Sequence, residues 1–169
     1  MASLCYLDSY HELHAIRARA GASCARVKVR CLKTHIKGAR QMELNVSKHE
    51  YAKLKQCIKE WIICLNQVDK LSKDIKALNF GLYEPYGIEL IGAKVYDPDD
   101  SDWACEEDFV PTQRDCPNFE VVEDIKWEDF LNAIIEILQE LIMELKDLEI
   151  LNVEHITTGF CDGDLIVIK

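Results

Sequence analysis

A chain of 169 residues, 49% of them hydrophobic, is long enough to bury one sizeable core and too apolar to stay disordered. Four prolines and seven glycines, with no Pro-rich or Ser/Gly-rich stretch, argue against linkers, so residues 1–169 read as a single domain. The net charge of −10 is lopsided: residues 1–45 carry eight Lys/Arg against three acids, and residues 97–149 carry eighteen acids against Arg114, Lys126 and Lys146, which disfavours nucleic acid and suits a basic protein partner.

The opening twenty residues lack the continuous apolar stretch of a signal peptide, and His11 to Ala20 reads at most as a short helix broken at Gly21. From Arg26 to Leu32 the pattern alternates, Val27, Val29 and Cys31 on one side and Arg26, Lys28 and Arg30 on the other, as in a half-buried strand. Gln41 to Val46 alternates too, and a turn near Lys37-Gly38 predicts that the two strands pair as a hairpin. Ser47 to Glu50 is a capping box. The helix it opens places Tyr51, Leu54, Ile58, Trp61, Ile62, Leu65 and Val68 on one face, with a continuation expected to about Leu78. Its run Trp61 to Leu65 is the longest unbroken apolar stretch, far short of the ~20 residues that span a bilayer, so a cytoplasmic protein without a membrane partner is expected.

Asn79 to Glu84 and Gly87 to Tyr96 follow as strands joined at Pro85-Tyr86, and an acidic connection runs from Asp97 to about Asp124. A second helix, with Asp124 as its expected cap, carries Trp127, Phe130, Leu131, Ile134, Leu138, Leu141, Ile142 and Leu145 in one broad stripe. The chain closes with His155 to Phe160 and Leu165 to Ile168 around the tight-turn pair Asp162-Gly163. This order predicts an α+β fold, a mostly antiparallel sheet with two main amphipathic helices packed on it.

Eight cysteines, at 5, 24, 31, 57, 64, 105, 116 and 161, contain no C-x-x-C and no zinc-finger spacing. They read as reduced thiols packing as small hydrophobes, with Cys57 and Cys64 on the buried side of their helix. His11-Glu-Leu-His14 places its second histidine at i+3, where a zincin helix needs i+4. Counting from Asp97, oxygen ligands fall at positions 1, 3 and 5 of a calcium-type loop, and Asp108 falls at position 12. Asp102 stands where the turn wants Gly, however, and Asp108 where a bidentate Glu belongs. No G-x-S-x-G, P-loop or dinucleotide glycine signature occurs. Glu106, Glu107 and Asp108 read as solvated carboxylates rather than a tuned acid, and His155 as a structural residue. The expectation is therefore no catalytic set, no cofactor and no metal.

The acidic connection also holds Trp103, Phe109 and Val110 among its carboxylates. Large rings in such a stretch either anchor it to the core or form the apolar centre of a docking surface. Three pieces, Asp102-Trp-Ala-Cys-Glu-Glu-Asp-Phe-Val-Pro111, Trp127-x-x-Phe130-Leu131 and Gly159-Phe-Cys-Asp-Gly-Asp-Leu165, together resemble small cytosolic bacterial proteins of the polymorphic-toxin immunity type. The resemblance covers roughly the last 70 residues and implies a non-catalytic inhibitor that captures a cognate toxin, often an enzyme with a basic cleft. From the charge pattern, Asp99, Asp100, Asp102, Glu106, Glu107 and Asp108 are expected as the electrostatic rim of the contact, with Trp103 and Phe109 as its anchors. The competing expectations are a scaffolding module that forms a homodimer and a weak divalent-metal protein.

Overall fold

The computed structural model describes residues 46–169. Apart from Val46, the expected hairpin of residues 26–46, the segment His11–Ala20 with its two histidines, and the basic strand face of Arg26, Lys28 and Arg30 lie outside the described residues.

Helix α1 spans Lys48–Val68. Ser47 caps it as the sequence predicts, its Oγ accepting the Glu50 N–H at 3.1 Å. The reciprocal half of the capping box is replaced. Glu50 is buried and its carboxylate accepts from Val122 N at 3.4 Å, while the Ser47 N–H donates to Glu123 at 3.2 Å. The helix start is thus stitched to the end of the acidic connection. Its continuation to Leu78 does not occur. The helix stops at Val68, and Asp69 takes extended backbone with its carboxylate accepting both the N–H and the hydroxyl of Thr112.

Strands β1 (Ala77–Tyr83) and β2 (Gly87–Ala93) form an antiparallel hairpin, and β2 ends three residues sooner than expected. Helix α2 spans Trp127–Glu144. Its N-cap residue is Lys126 rather than Asp124, and no side chain caps it. Glu128 and Asp129 supply negative charge in the first turn instead, where the helix dipole favours it. Strand β3 (His155–Phe160) runs parallel to β1, and β4 is only Ile166–Val167, antiparallel to β3. The sheet order is β2-β1-β3-β4. Two of its three pairings are antiparallel, so the expected α+β class is what the structure shows.

One face of the sheet and both helices share the main core. Leu78, Phe80 and Leu82 of β1, Ile88 and Leu90 of β2 and Ile156 of β3 meet Leu54, Ile58, Trp61, Ile62 and Leu65 of α1 and Phe130, Ile134, Leu138 and Leu141 of α2. Burying each such side chain contributes about 1.5–3 kcal/mol. The alternate residues Ala77 and Ala93 point to the opposite face, where a second small cluster gathers around Trp103. Among the described residues no helix is long and apolar enough to cross a membrane.

Candidate functional site

The acidic connection is built rather than slack. Residues 109–116 run along the outer edge of β2. Gly92 and Phe109 exchange backbone hydrogen bonds of 2.8 and 2.9 Å, Leu90 N donates to Arg114 O, and Cys116 N donates to Ile88 O. This covers one sheet edge. Gly92 permits the close approach, since a Cβ there would lie 3.0–3.2 Å from Ile75, Leu78 and Phe109 side-chain carbons.

The segment between Lys94 and Asp108 leaves the sheet and returns at a closed base. Asp108 accepts the Lys94 N–H at 2.9 Å and faces its ammonium group at 3.5 Å, and the same ammonium lies 3.5 Å from Asp74. These two carboxylates, Asp108 first, raise the Lys94 pKa. At the far end Ser101–Cys105 forms a 3-10 helix. Two of the acids shape that turn themselves: Asp97 accepts from Asp99 N at 2.9 Å, and Asp100 accepts from Asp102 N at 3.0 Å. Asx turns of this kind fix local backbone in place of regular structure.

Trp103 is the pin. Its side chain is only 6% exposed and packs with Ala77 and Ala93, and its ring meets Tyr96 edge-on at 5.2 Å. Tyr96 in turn stacks on His155 at 3.8 Å. Of the two arrangements open to the loop aromatics, Trp103 adopts the inward one. Its ring therefore does not lie on the outer surface as an anchor for a partner. Phe109 is half-buried and packs against the main core, held by its bridge to Gly92.

The six carboxylates expected as a rim, Asp99, Asp100, Asp102, Glu106, Glu107 and Asp108, are all exposed. They do not all face outward unengaged. Glu107 pairs with Arg114 at 2.7 Å, and Arg114 also binds Glu89 at 2.7 Å. Burial opposes the Arg114 charge, but these two carboxylates prevail and raise its pKa. Two of the seven acids between 97 and 108, Asp108 and Glu107, pair with Lys94 and Arg114, and both cations are shared with further acids, Asp74 and Glu89. The stretch keeps a strong negative field. The calcium-type count along this loop finds no counterpart in space, because Asp108 turns to Lys94 while Asp97 and Asp100 turn to backbone N–H groups. Among the described residues no three His, Cys, Asp or Glu side chains converge as a metal site would need.

A second feature escaped the sequence. Where the connection returns past α1, a groove of about 430 Å³ opens between the helix and Pro117-Asn118, with Lys53, Cys57, Trp61 and Cys64 in its wall. Trp61 is fixed there by its Nε1 donating to Gln113 O at 2.9 Å. Cys57 is half-buried and Cys64 exposed, so the buried pair expected on this helix does not form. Instead the Cys57 thiol lies 3.6 Å from that of Cys116, which is buried. None of the five cysteines among the described residues is joined in a disulfide. Position seven along a helix is legible in sequence; a partner 59 residues away is not.

The fold and site define an α+β protein whose second sheet face carries a pinned acidic turn. Comparison with protein families, with curated proteins and with solved structures finds no match to this chain.

Proposed function

We propose that the protein is a non-catalytic binding protein of the immunity type, which neutralises a cognate toxin by presenting the acidic turn 97–108 to a basic surface. The observation that carries this reading is the concentration of seven exposed carboxylates on a turn held by a buried ring and a closed base. A flexible acidic loop would lose conformational entropy on binding, whereas a turn ordered in advance avoids much of that penalty. The field of such a surface speeds encounter with a positive cleft and selects its orientation.

The inward Trp103 changes the expected anatomy of the contact. The ring holds the turn in shape, and the partner meets carboxylates: Asp99, Asp100, Asp102 and Glu106 at the tip, Glu107 and Asp108 toward the base. Phe109 acts from behind them through its bridge to Gly92 of β2.

The test is a binding experiment with the protein encoded next to this chain, purified and titrated at low and at raised salt. The reading expects a complex whose affinity falls steeply with salt and falls again when Asp99, Asp100 and Asp102 are changed to lysine. A complex indifferent to both changes would contradict the acidic contact.

A further inference from the structure

Helix α1 and the returning connection bring together two thiols that the binding reading does not use. Cys57 stands on the groove wall, half-buried, and its Sγ donates to Pro117 O at 3.2 Å while lying 3.6 Å from the Cys116 Sγ. Cys116 sits behind it, 7% exposed, in the core. One thiol is open to small molecules from the groove, and the other is within reach of it but shielded.

From this geometry we infer that Cys57 and Cys116 form an oxidisable dithiol, a modification site at which a hydroperoxide converts the pair to a disulfide clasping α1 to the connection. The Cys57 thiolate attacks the terminal oxygen of the hydroperoxide. An S–O bond forms, the O–O bond breaks, and the leaving alkoxide or hydroxide takes a proton to become alcohol or water. The Cys116 sulfur then attacks the Cys57 sulfenic sulfur. The S–S bond forms, the S–O bond breaks, and the departing hydroxide leaves as water with the Cys116 proton. Two thiols lose two electrons and the hydroperoxide gains them.

The order of the two steps follows from the surroundings. Burial, with Cys57 beside it, raises the Cys116 thiol well above its ordinary value, so Cys116 stays protonated and reacts second. Cys57 meets the solvent of the groove, and Lys53, one turn earlier on α1, lines the same wall. That lysine is held by Glu120 O at 2.9 Å and lies 3.7 Å from Glu50. The sulfurs have to close from van der Waals distance to the ~2.05 Å of a bond. The segment that must move is Pro117-Asn118, at the groove's rim, while Cys116 keeps its backbone hydrogen bond to Ile88.

Peptide mapping of the full chain tests this without a variant. Trypsin releases Cys57 within Gln56–Lys59 and Cys116 within Asp115–Lys126, each with a single cysteine. After brief treatment of the reduced protein with hydrogen peroxide, these two peptides are expected joined, about two mass units lighter than their sum, and separable by dithiothreitol. Alkylation of both cysteines by iodoacetamide should be lost in parallel. In Cys116→Ser the joined peptide should vanish and Cys57 should be trapped by dimedone as its sulfenic acid. Oxidation that falls on Cys64, Cys105 or Cys161 while Cys57 and Cys116 stay alkylatable would overturn the inference. So would Cys57 pairing with any other cysteine. Because the mapping is done on the unaltered chain, its outcome decides the matter even where a variant fails to fold.

Discussion

Trp103 shows how one side chain changes the meaning of its neighbours. Set among acids in the sequence, it lies 6% exposed over Ala77 and Ala93. Trp103→Ala should cost about 3 kcal/mol or more, and urea unfolding would measure it. Amide exchange over residues 97–108 should rise in the same variant, because the turn loses its attachment to the sheet. Tyr51 offers a titration instead. Its hydroxyl is buried without a well-formed hydrogen bond among the described residues, and burial followed by the charges of Glu140 and Glu136 pushes its pKa up from 10.0 to about 12. A phenol raised on folding keeps its full contribution to stability below its unfolded value. It loses that contribution as pH climbs through its folded value. Stability should therefore fall between pH 10 and about 12, and an ultraviolet titration should find one late phenolate. Tyr51→Phe removes both effects, so its stability at neutral pH should stay within about 1 kcal/mol of the parent or exceed it.

Elements whose apolar period matches their length were legible in the sequence. Helix α1 begins where Ser47 signals, and α2 follows its stripe from Trp127. The errors fall at ends. Leu71 packs against the main core and Ile75 is buried within it, which mimics a helical stripe, yet the chain leaves the helix at Asp69, whose carboxylate is taken by Thr112. That contact joins residues 43 apart, and no local pattern announces it. The β3–β4 turn is similarly tight for a reason outside propensity. A Cβ on Gly159 would lie 2.8 Å from the Asp164 carbonyl oxygen, so backbone must shift to admit one. Gly159→Ala should lower stability by about 1–3 kcal/mol in the same unfolding assay. The helices are also tied by Lys55 to Glu140 and Glu144, both at 2.6 Å, and by Lys59 to Glu144 at 3.0 Å. These pairs are substantially exposed, so Lys55→Met should cost no more than about 1 kcal/mol, and less in high salt. The apolar faces beneath them hold the helices together.

For the molecule as a whole, the charge asymmetry was plain from composition, while the arrangement it takes was not. Sequence pointed to the carboxylates of residues 99–108. It left open whether the rings among them face in or out, because that depends on the small residues Ala77 and Ala93 meeting across two strands. The Cys57–Cys116 proximity was illegible for the same reason, since only the folded connection places those thiols side by side. The proposed function rests on the acidic turn acting as a preformed contact surface. The association rate with the neighbouring gene's product, followed by stopped flow at two ionic strengths, tests that most directly. For the parent protein it should drop about tenfold or more on raising salt, and reversal of Asp99, Asp100 and Asp102 to lysine should abolish most of that dependence. An association rate unchanged by salt and by the reversal would show that binding, if it occurs, uses another face.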